Sequence, residues 1–583
     1  MGSFKGRFAA IISSVVFVLA LYTGAKSVSA QVPTPAISPT PIPSITPPPA
    51  GLPVEPPPVA PNFEAPMRPM PSSERIGVDL ANQLTLTLDQ AIETALKNNN
   101  NIDVSRNNLQ INQWNLRAAR GVYDPLLTNQ DYYESATTPT ASAIGGAVNG
   151  SVTQQRLFST SSISGYSPWQ GGQYSAQFDT SRTTTSNTNS FLNPQFPSTL
   201  TFNYTQPLFR NRSIDQNRHQ ILIARKNVQI TDSQFRQEAI TIVNQVEQAY
   251  WNLVFSLRNF QVQIDALKQA RAQLESNQRQ VERGVLAPID IVEATAQITT
   301  FEQNVYSAQE TVTQNENTLK TLLLPDRTSA EWSQPITPVS PIALEAPHVP
   351  LETATADALK NRPELEQLQL NLDSNSIDER FYRNQTKPQI DLFATTTSQG
   401  LAGTTTERSI DPTTGLSRVP PQLVGGEFTS LSNLFRFSFP TYRAGVNISL
   451  PLGNRVAKAN LGRTLVEGNR IRNQLAQEEE AVEAEVRNAL QALRSAEARL
   501  NAAAANRAAA EELYASEQRK FRAGTTALYL VLQRQTALIT ARGLELQAQT
   551  DLNRAISEFH RATGATLTVN NIQITPGAQV EKK

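Results

Sequence analysis

Few side chains in this sequence could carry reaction chemistry. Cysteine is absent, and only three histidines occur, His219, His348 and His560. Their separations do not match the short spacings that place two imidazoles on one metal ion. No glycine-rich phosphate loop and no nucleophile elbow is present either. No cofactor is expected, and an enzymatic reading is set aside. The spacing that stands out is a break in a pattern. In "QRQVERGVLAPIDIVEA" (278–294), Gly284 and Pro288 interrupt a long helical run, with Arg279 before them and Asp290 and Glu293 after. A second break, "QRKFRAG" (518–524), carries Arg519 and Gly524, with Leu530 and Gln533 where the first has its two acids. Glycine suits a left-handed helix C-cap, and proline suits the first turn of a following helix. The first break therefore reads as the tip of a helical hairpin. Gly524 marks a second tip without the proline.

The elements around these tips are long. Upstream of the first, Phe235, Ala239, Ile242, Val246, Ala249, Leu253, Leu257, Phe260, Ile264 and Leu267 recur at threes and fours, the spacing of a helix seam. Val482, Val486, Ala489, Leu493, Ala496, Leu500 and Ala503 repeat the rhythm before the second tip. Outgoing helices are expected over about 212–282 and 456–522, and return helices of half that length over about 290–324 and 530–563. Two further half-length helices are expected at about 87–122 and 351–386. Their lengths suggest that 290–324 continues end to end into 351–386, and that 530–563 pairs with 87–122.

The chain is an internal duplication. "LDQAIETALKNN" (88–99) parallels "LETATADALKNR" (351–362), with Ala-Leu-Lys-Asn 263 positions apart. "FNYTQPLFRNR" (202–212) parallels "VNISLPLGNR" (446–455). The boundaries read as a first repeat over 81–344, a second over 345–570, and a tail over 571–583. Each repeat is expected to run helix, strand, polar loop, strand, long hairpin. The second strands alternate cleanly: Leu200, Phe202 and Tyr204 face one way, Thr201, Asn203 and Thr205 the other. First strands are expected near Leu126–Tyr133 and Gln389–Thr396. The stretches between, rich in Ser, Thr, Gly and Asn, read as loops.

The N-terminus has the form of a secretory signal over 1–30: basic Lys5 and Arg7, an apolar Phe8–Leu21 run, and Val28-Ser29-Ala30 as a cleavage site. A proline-rich linker over 31–80 follows, unable to form helix or central strand. It reads as a spacer or as a tether to cell wall or a partner. Without cysteine the mature chain cannot carry a lipid at an N-terminal cysteine. Basic and acidic residues balance at 51 each, which gives no reason to expect nucleic acid as a partner. An exported membrane protein without spanning helices must be a β-barrel. Four strands per chain cannot close one, because the smallest membrane barrels need about eight. The chain is therefore expected to oligomerise, as a dimer or a trimer.

The order strand–loop–strand then helix–tip–helix, duplicated over 85–570, resembles the TolC family of outer-membrane efflux proteins. So do "LDQAIETALKNN", the "QPLF" and "LPLGNR" strand ends and the "RGVLAPIDIVEA" tip. The resemblance implies a mostly helical fold with a β-barrel portion: a homotrimer with a 12-stranded barrel in outer-membrane lipid, continued by a periplasmic α-helical barrel. It implies export from the periplasm, or from an inner-membrane transporter, in a tripartite efflux or type I secretion system. The partners implied are a periplasmic adaptor and an inner-membrane pump of RND or ABC type. Arg279, Gly284, Pro288, Arg519 and Gly524 would form the adaptor-docking tips. Asp290, Glu293, Leu530 and Gln533 would form the pore aperture; Leu530 and Gln533 depart from the acids usual there. The alternatives weighed beside this are a periplasmic adaptor protein and a structural coiled-coil stalk.

Overall fold

The computed structural model describes residues 69–72, 74–141, 143–147, 149–575 and 579–582. The expected signal segment and most of the expected proline-rich linker lie outside the described residues. Both repeats fall in one compact unit, Pro71–Lys583. The helices are α1 (Leu88–Asn98), α2 (Asn100–Arg120), α3 (Gln216–Glu282), α4 (Ile289–Leu323), α5 (Leu351–Asn361), α6 (Pro363–Gln385), α7 (Glu427–Phe435), α8 (Arg455–Arg522), α9 (Leu528–Ala562) and α10 (Thr566–Val569). The strands are β1 (Leu84–Leu86), β2 (Leu126–Pro139), β3 (Ser151–Tyr166), β4 (Gln173–Thr185), β5 (Leu192–Pro207), β6 (Ile336–Pro338), β7 (Gln389–Thr405), β8 (Phe439–Ser449), β9 (Ile572–Thr575) and β10 (Gln579–Lys582).

The long helices match the seam reading. α3 has 67 residues and α8 has 68, so each is about 100 Å long. Their seams bury equivalent positions: Ile242, Val246, Ala249 and Leu253 in α3, and Val482, Val486, Ala489 and Leu493 in α8. The first core gathers the α3 set with Phe235, Tyr250 and Trp251, and the α8 set lies in a second core with Leu552 and Phe559. Tyr250 also donates to the Leu86 carbonyl (3.1 Å) and accepts from the Ser340 amide (3.0 Å). It thereby fastens the small parallel pair β1–β6 to the rod.

Two expectations are corrected. The half-length helices stack within a repeat, not between repeats. α2 and α4 lie along α3, and α6 and α9 along α8. The joints explain the choice. Asn98 and Asn99 donate side-chain amides to the Leu323 and Leu322 carbonyls (3.3 and 3.0 Å), supplying donors to the end of α4. Asn99 also caps α2 by accepting from the Asn101 amide (2.9 Å), so the expected single helix over 87–122 is broken there. In the second repeat Arg362 breaks 351–386 just before Pro363, and donates to the Ala562 carbonyl at the end of α9 (3.3 Å).

The second correction concerns the wall. One sheet carries six strands, in the order β2-β3-β4-β5-β7-β8, not four. The polar stretch 140–191, read as loop, folds into the hairpin β3–β4 inside that sheet. Each chain thus carries two more strands in this sheet than the four expected. No helix among the described residues is long and apolar enough to cross a membrane.

Candidate channel wall and tips

Every pair in the six-stranded sheet is antiparallel. The register sorts its side chains onto two faces. One face carries Leu127, Ile163, Ala176, Phe202 and Tyr442 in one row and Tyr174, Tyr204, Ala394 and Ala444 in the next. Leu392, Val446 and Ile448 extend it toward the helices. Most of these large apolar side chains are exposed, Leu127 at 72% and Tyr442 at 71%. Apolar surface of that extent marks contact with lipid or protein. Asn129, Asp131 and Ser161 interrupt it and bond one another instead (2.7 Å each).

The opposite face is a ladder of hydroxyls, amides and carboxylate. Thr128 bonds Ser162 (2.7 Å) and Thr160 donates to Asp179 (2.7 Å). Asn203 donates to Ser175 (3.3 Å) and accepts from Thr395 (2.8 Å). These contacts cross from β2 to β7 without a gap. The short helix α7 lies over the apolar face, where Ser430 meets Ser198 (2.7 Å) and Ser398 donates to the Leu434 carbonyl (2.6 Å). Gly400 makes that approach possible, since a Cβ there would meet the Ser430 carbonyl at 2.1 Å. α7 leaves Phe428 and Phe435 exposed, as aromatic residues at a lipid interface are.

Sheet and rods meet at two corners of one design. Asn211 and Asn454 both adopt the left-handed conformation that asparagine tolerates (φ 66° and 44°). Both reach the end of α6: Gln385 donates to Asn211 (2.8 Å) and Asn454 to the Thr386 carbonyl (3.1 Å). Asp215 then caps α3 by accepting from the Arg218 amide (2.7 Å).

At the far end, Gly284 and Gly524 turn the chain at φ 72° and 71°, each ending its helix as the glycine reading requires. Pro288 is the N-cap of α4. Asp290 accepts from the Ala287 amide (3.1 Å), so its carboxylate also braces the first tip. Arg279 pairs with Glu275 (2.7 Å) and Arg519 with Glu512 (3.0 Å), all on exposed surface. In the second tip Thr526 donates to Glu517 (2.5 Å). That bond, with Lys520 beside it, holds the Glu517 carboxyl below its usual range. Glu293 and Gln533 line a single groove of about 860 Å³ between the two hairpins, with Gln297, Tyr529 and Thr536. Asp290 and Leu530 do not line it. Three exposed tip residues escaped the sequence reading: Val285, Ile289 and Val292. Their spacing of four and three was the available signal, and among the described residues all three stay exposed. Among the described residues no group of three His, Asp or Glu is placed to hold a metal ion.

A family profile described as outer membrane efflux protein matches residues 173–323 and 355–565. No curated protein sequence matches the chain. Among solved structures, the chain is similar to the outer-membrane channel OprN, with TM-score 0.57 and 15% identity, covering 87% of this chain and 99% of that one. It is similar to the Campylobacter jejuni outer membrane channel CmeC (TM-score 0.58, 13% identity, 82% and 86% covered). It is also similar to the Vibrio cholerae outer membrane protein VceC (TM-score 0.55, 15% identity, 82% and 96% covered). At these identities the likeness is one of fold.

Proposed function

The chain belongs to the outer membrane efflux protein family, and from that premise we propose that three copies assemble side by side into one continuous conduit. The protein is an outer-membrane efflux channel and not an enzyme. In the proposed assembly the sheets close one barrel through the outer membrane, and the helices of both repeats, 81–344 and 345–570, close a periplasmic tunnel. The observation that carries this reading is the two-faced sheet, with exposed apolar side chains on one face and a hydroxyl and amide ladder on the other, as a wall between lipid and water requires.

The tips around Gly284 and Gly524 dock on a periplasmic adaptor, which couples the channel to an inner-membrane pump of RND or ABC type. The exposed Val285, Ile289 and Val292 suit such a surface. Arg279 and Arg519 frame it, with Pro288 setting the first turn. Asp290, Glu293, Leu530 and Gln533 surround the narrow end of the tunnel. The mass of the mature protein in detergent, corrected for bound detergent, tests the assembly. A trimer is expected; a monomer would leave two strand edges open in lipid and end the channel reading. Asp290→Asn keeps an acceptor for the Ala287 amide and removes the charge. It should lower cation current in planar bilayers, and unchanged current at every salt concentration would remove Asp290 from the aperture.

A further inference from the structure

We infer that the closed wall of this channel contains 18 strands, three sheets of six, and that it closes by pairing the β2 edge of one copy with the β8 edge of the next. The inference deepens the trimeric channel reading and rests on it. The hairpin β3–β4 is wall and not an excursion from it. β3 and β4 have 16 and 13 residues, enough for a membrane crossing of about 9–11. β3 pairs with β2 from Ser151 to Ser164, and β4 pairs with β5 from Gln173 to Thr183. Both strands keep the two-faced pattern. Ile163, Ala176 and Phe178 lie on the apolar face, and Thr160, Ser162 and Asp179 continue the polar ladder.

The free edges fit one occupant, a second copy of this chain. β2 runs away from the helices and β8 runs back toward them, because six antiparallel strands separate opposite directions at the two ends. A neighbouring copy thus offers an antiparallel partner, and pairing with it satisfies both rows of backbone groups in lipid. An 18-stranded ring at about 4.8 Å spacing and about 40° tilt has a radius of about 18 Å. Twelve helices abreast at about 9–10 Å, four from each copy, make a ring of similar girth.

Because native cysteine is absent, paired substitutions supply the only thiols. The full chain is oxidised in intact outer membranes and analysed without reductant, free thiols being counted by a maleimide mass tag. Asn129→Cys with Ser161→Cys, and Phe178→Cys with Leu200→Cys, should each close within one chain, since both are directly opposed pairs. Asn129→Cys with Leu200→Cys should stay open. They lie three strand spacings apart, about 14 Å, beyond a disulfide's Cα reach of about 7 Å. Between chains, Tyr133→Cys combined in turn with Tyr442→Cys, Ala444→Cys, Val446→Cys and Ile448→Cys scans the edge register. At least one pair should give a covalent trimer. If the 129/200 pair closes while the trimer forms, the hairpin lies outside a ring of 12; the inference fails and the trimeric channel stands. If the two opposed pairs close and no edge pair joins chains, closure by self-pairing fails and the trimeric channel fails with it.

Discussion

At position 99 the first repeat places an asparagine, and at the equivalent position 362 the second places an arginine. Each sits where two half-length helices meet beside a long one, and each donates to the last carbonyls of a return helix. The asparagine does this neutrally. The arginine also binds Glu485 on α8 (2.6 Å), which a second cation, Arg561, bonds from α9. One joint is a set of amide caps; the other is a charge cluster uniting three helices. The acids of the two long helices differ accordingly. Burial pushes the Glu247 carboxyl on α3 up, and only neutral partners, Ser557 and Asn570, pull against it. Burial acts on Glu485 too, but the hydrogen bonds and charges of Arg362 and Arg561 outweigh it and hold it low. A duplicated scaffold therefore conserves geometry at a joint while exchanging the chemistry that locks it.

The largest test of this contrast is Arg362→Ala. It leaves Glu485 with Arg561 alone and removes the donor to the Ala562 carbonyl, and should cost about 2–3 kcal/mol, read as earlier thermal loss of the helical signal. Next is Glu247→Gln, which converts an acid with one buried oxygen unpartnered into a neutral amide. It should stabilise the fold by about 1–2 kcal/mol at pH 8. The sign follows from linkage. A raised carboxyl supports the fold below its ordinary 4.5 and loses that support as pH rises through its folded value. The gain from the variant should thus grow from pH 5 to pH 8. Glu485 behaves oppositely: its support is present above 4.5 and is lost as pH falls through its lowered folded value. Acid melting should therefore begin in the second repeat, seen as earlier hydrogen exchange in α9 than in α4. Asn99→Ala should cost about 1–2 kcal/mol, less than the arginine, through one lost cap and one lost amide donor. Gly284→Ala and Gly524→Ala should cost about 1 kcal/mol each and equally. Both glycines are left-handed with open space where a Cβ would sit, so only backbone strain is added.

Much of this molecule was legible because its signals are local. The seams from Phe235 to Leu267 and from Val482 to Ala503, and the two tip glycines, follow from helix period and cap sterics alone. The second-strand end at Pro207 was equally plain. The β3–β4 hairpin was not, because a wall strand with one face on water alternates serine and threonine with apolar residues and resembles a loop. The Tyr174-Ala176-Phe178 alternation was the available sign. The breaks at Asn99 and Arg362 were hidden for another reason. Both lie in sequences of good helix period and meet a carbonyl end delivered from 200 or more residues away, although the proline after Arg362 was an available sign of the second break. At the tips, the turn geometry was readable, but the grouping of Glu293 with Gln533 depends on how two hairpins lean together.

The end-to-end joints give the rods a mechanical property. Below Asn99 and Arg362, each hairpin is a cantilever of 35 residues on its return side, about 50 Å of lever arm. A tilt of roughly 5° at the joint sweeps the tip through about 4–5 Å, by the same helix rise. The outgoing helices α3 and α8 run unbroken past the joints, so such a tilt has to be taken up by their bending. Any leverage on the tips is set by where the return helices stop, at one neutral joint and one charged one.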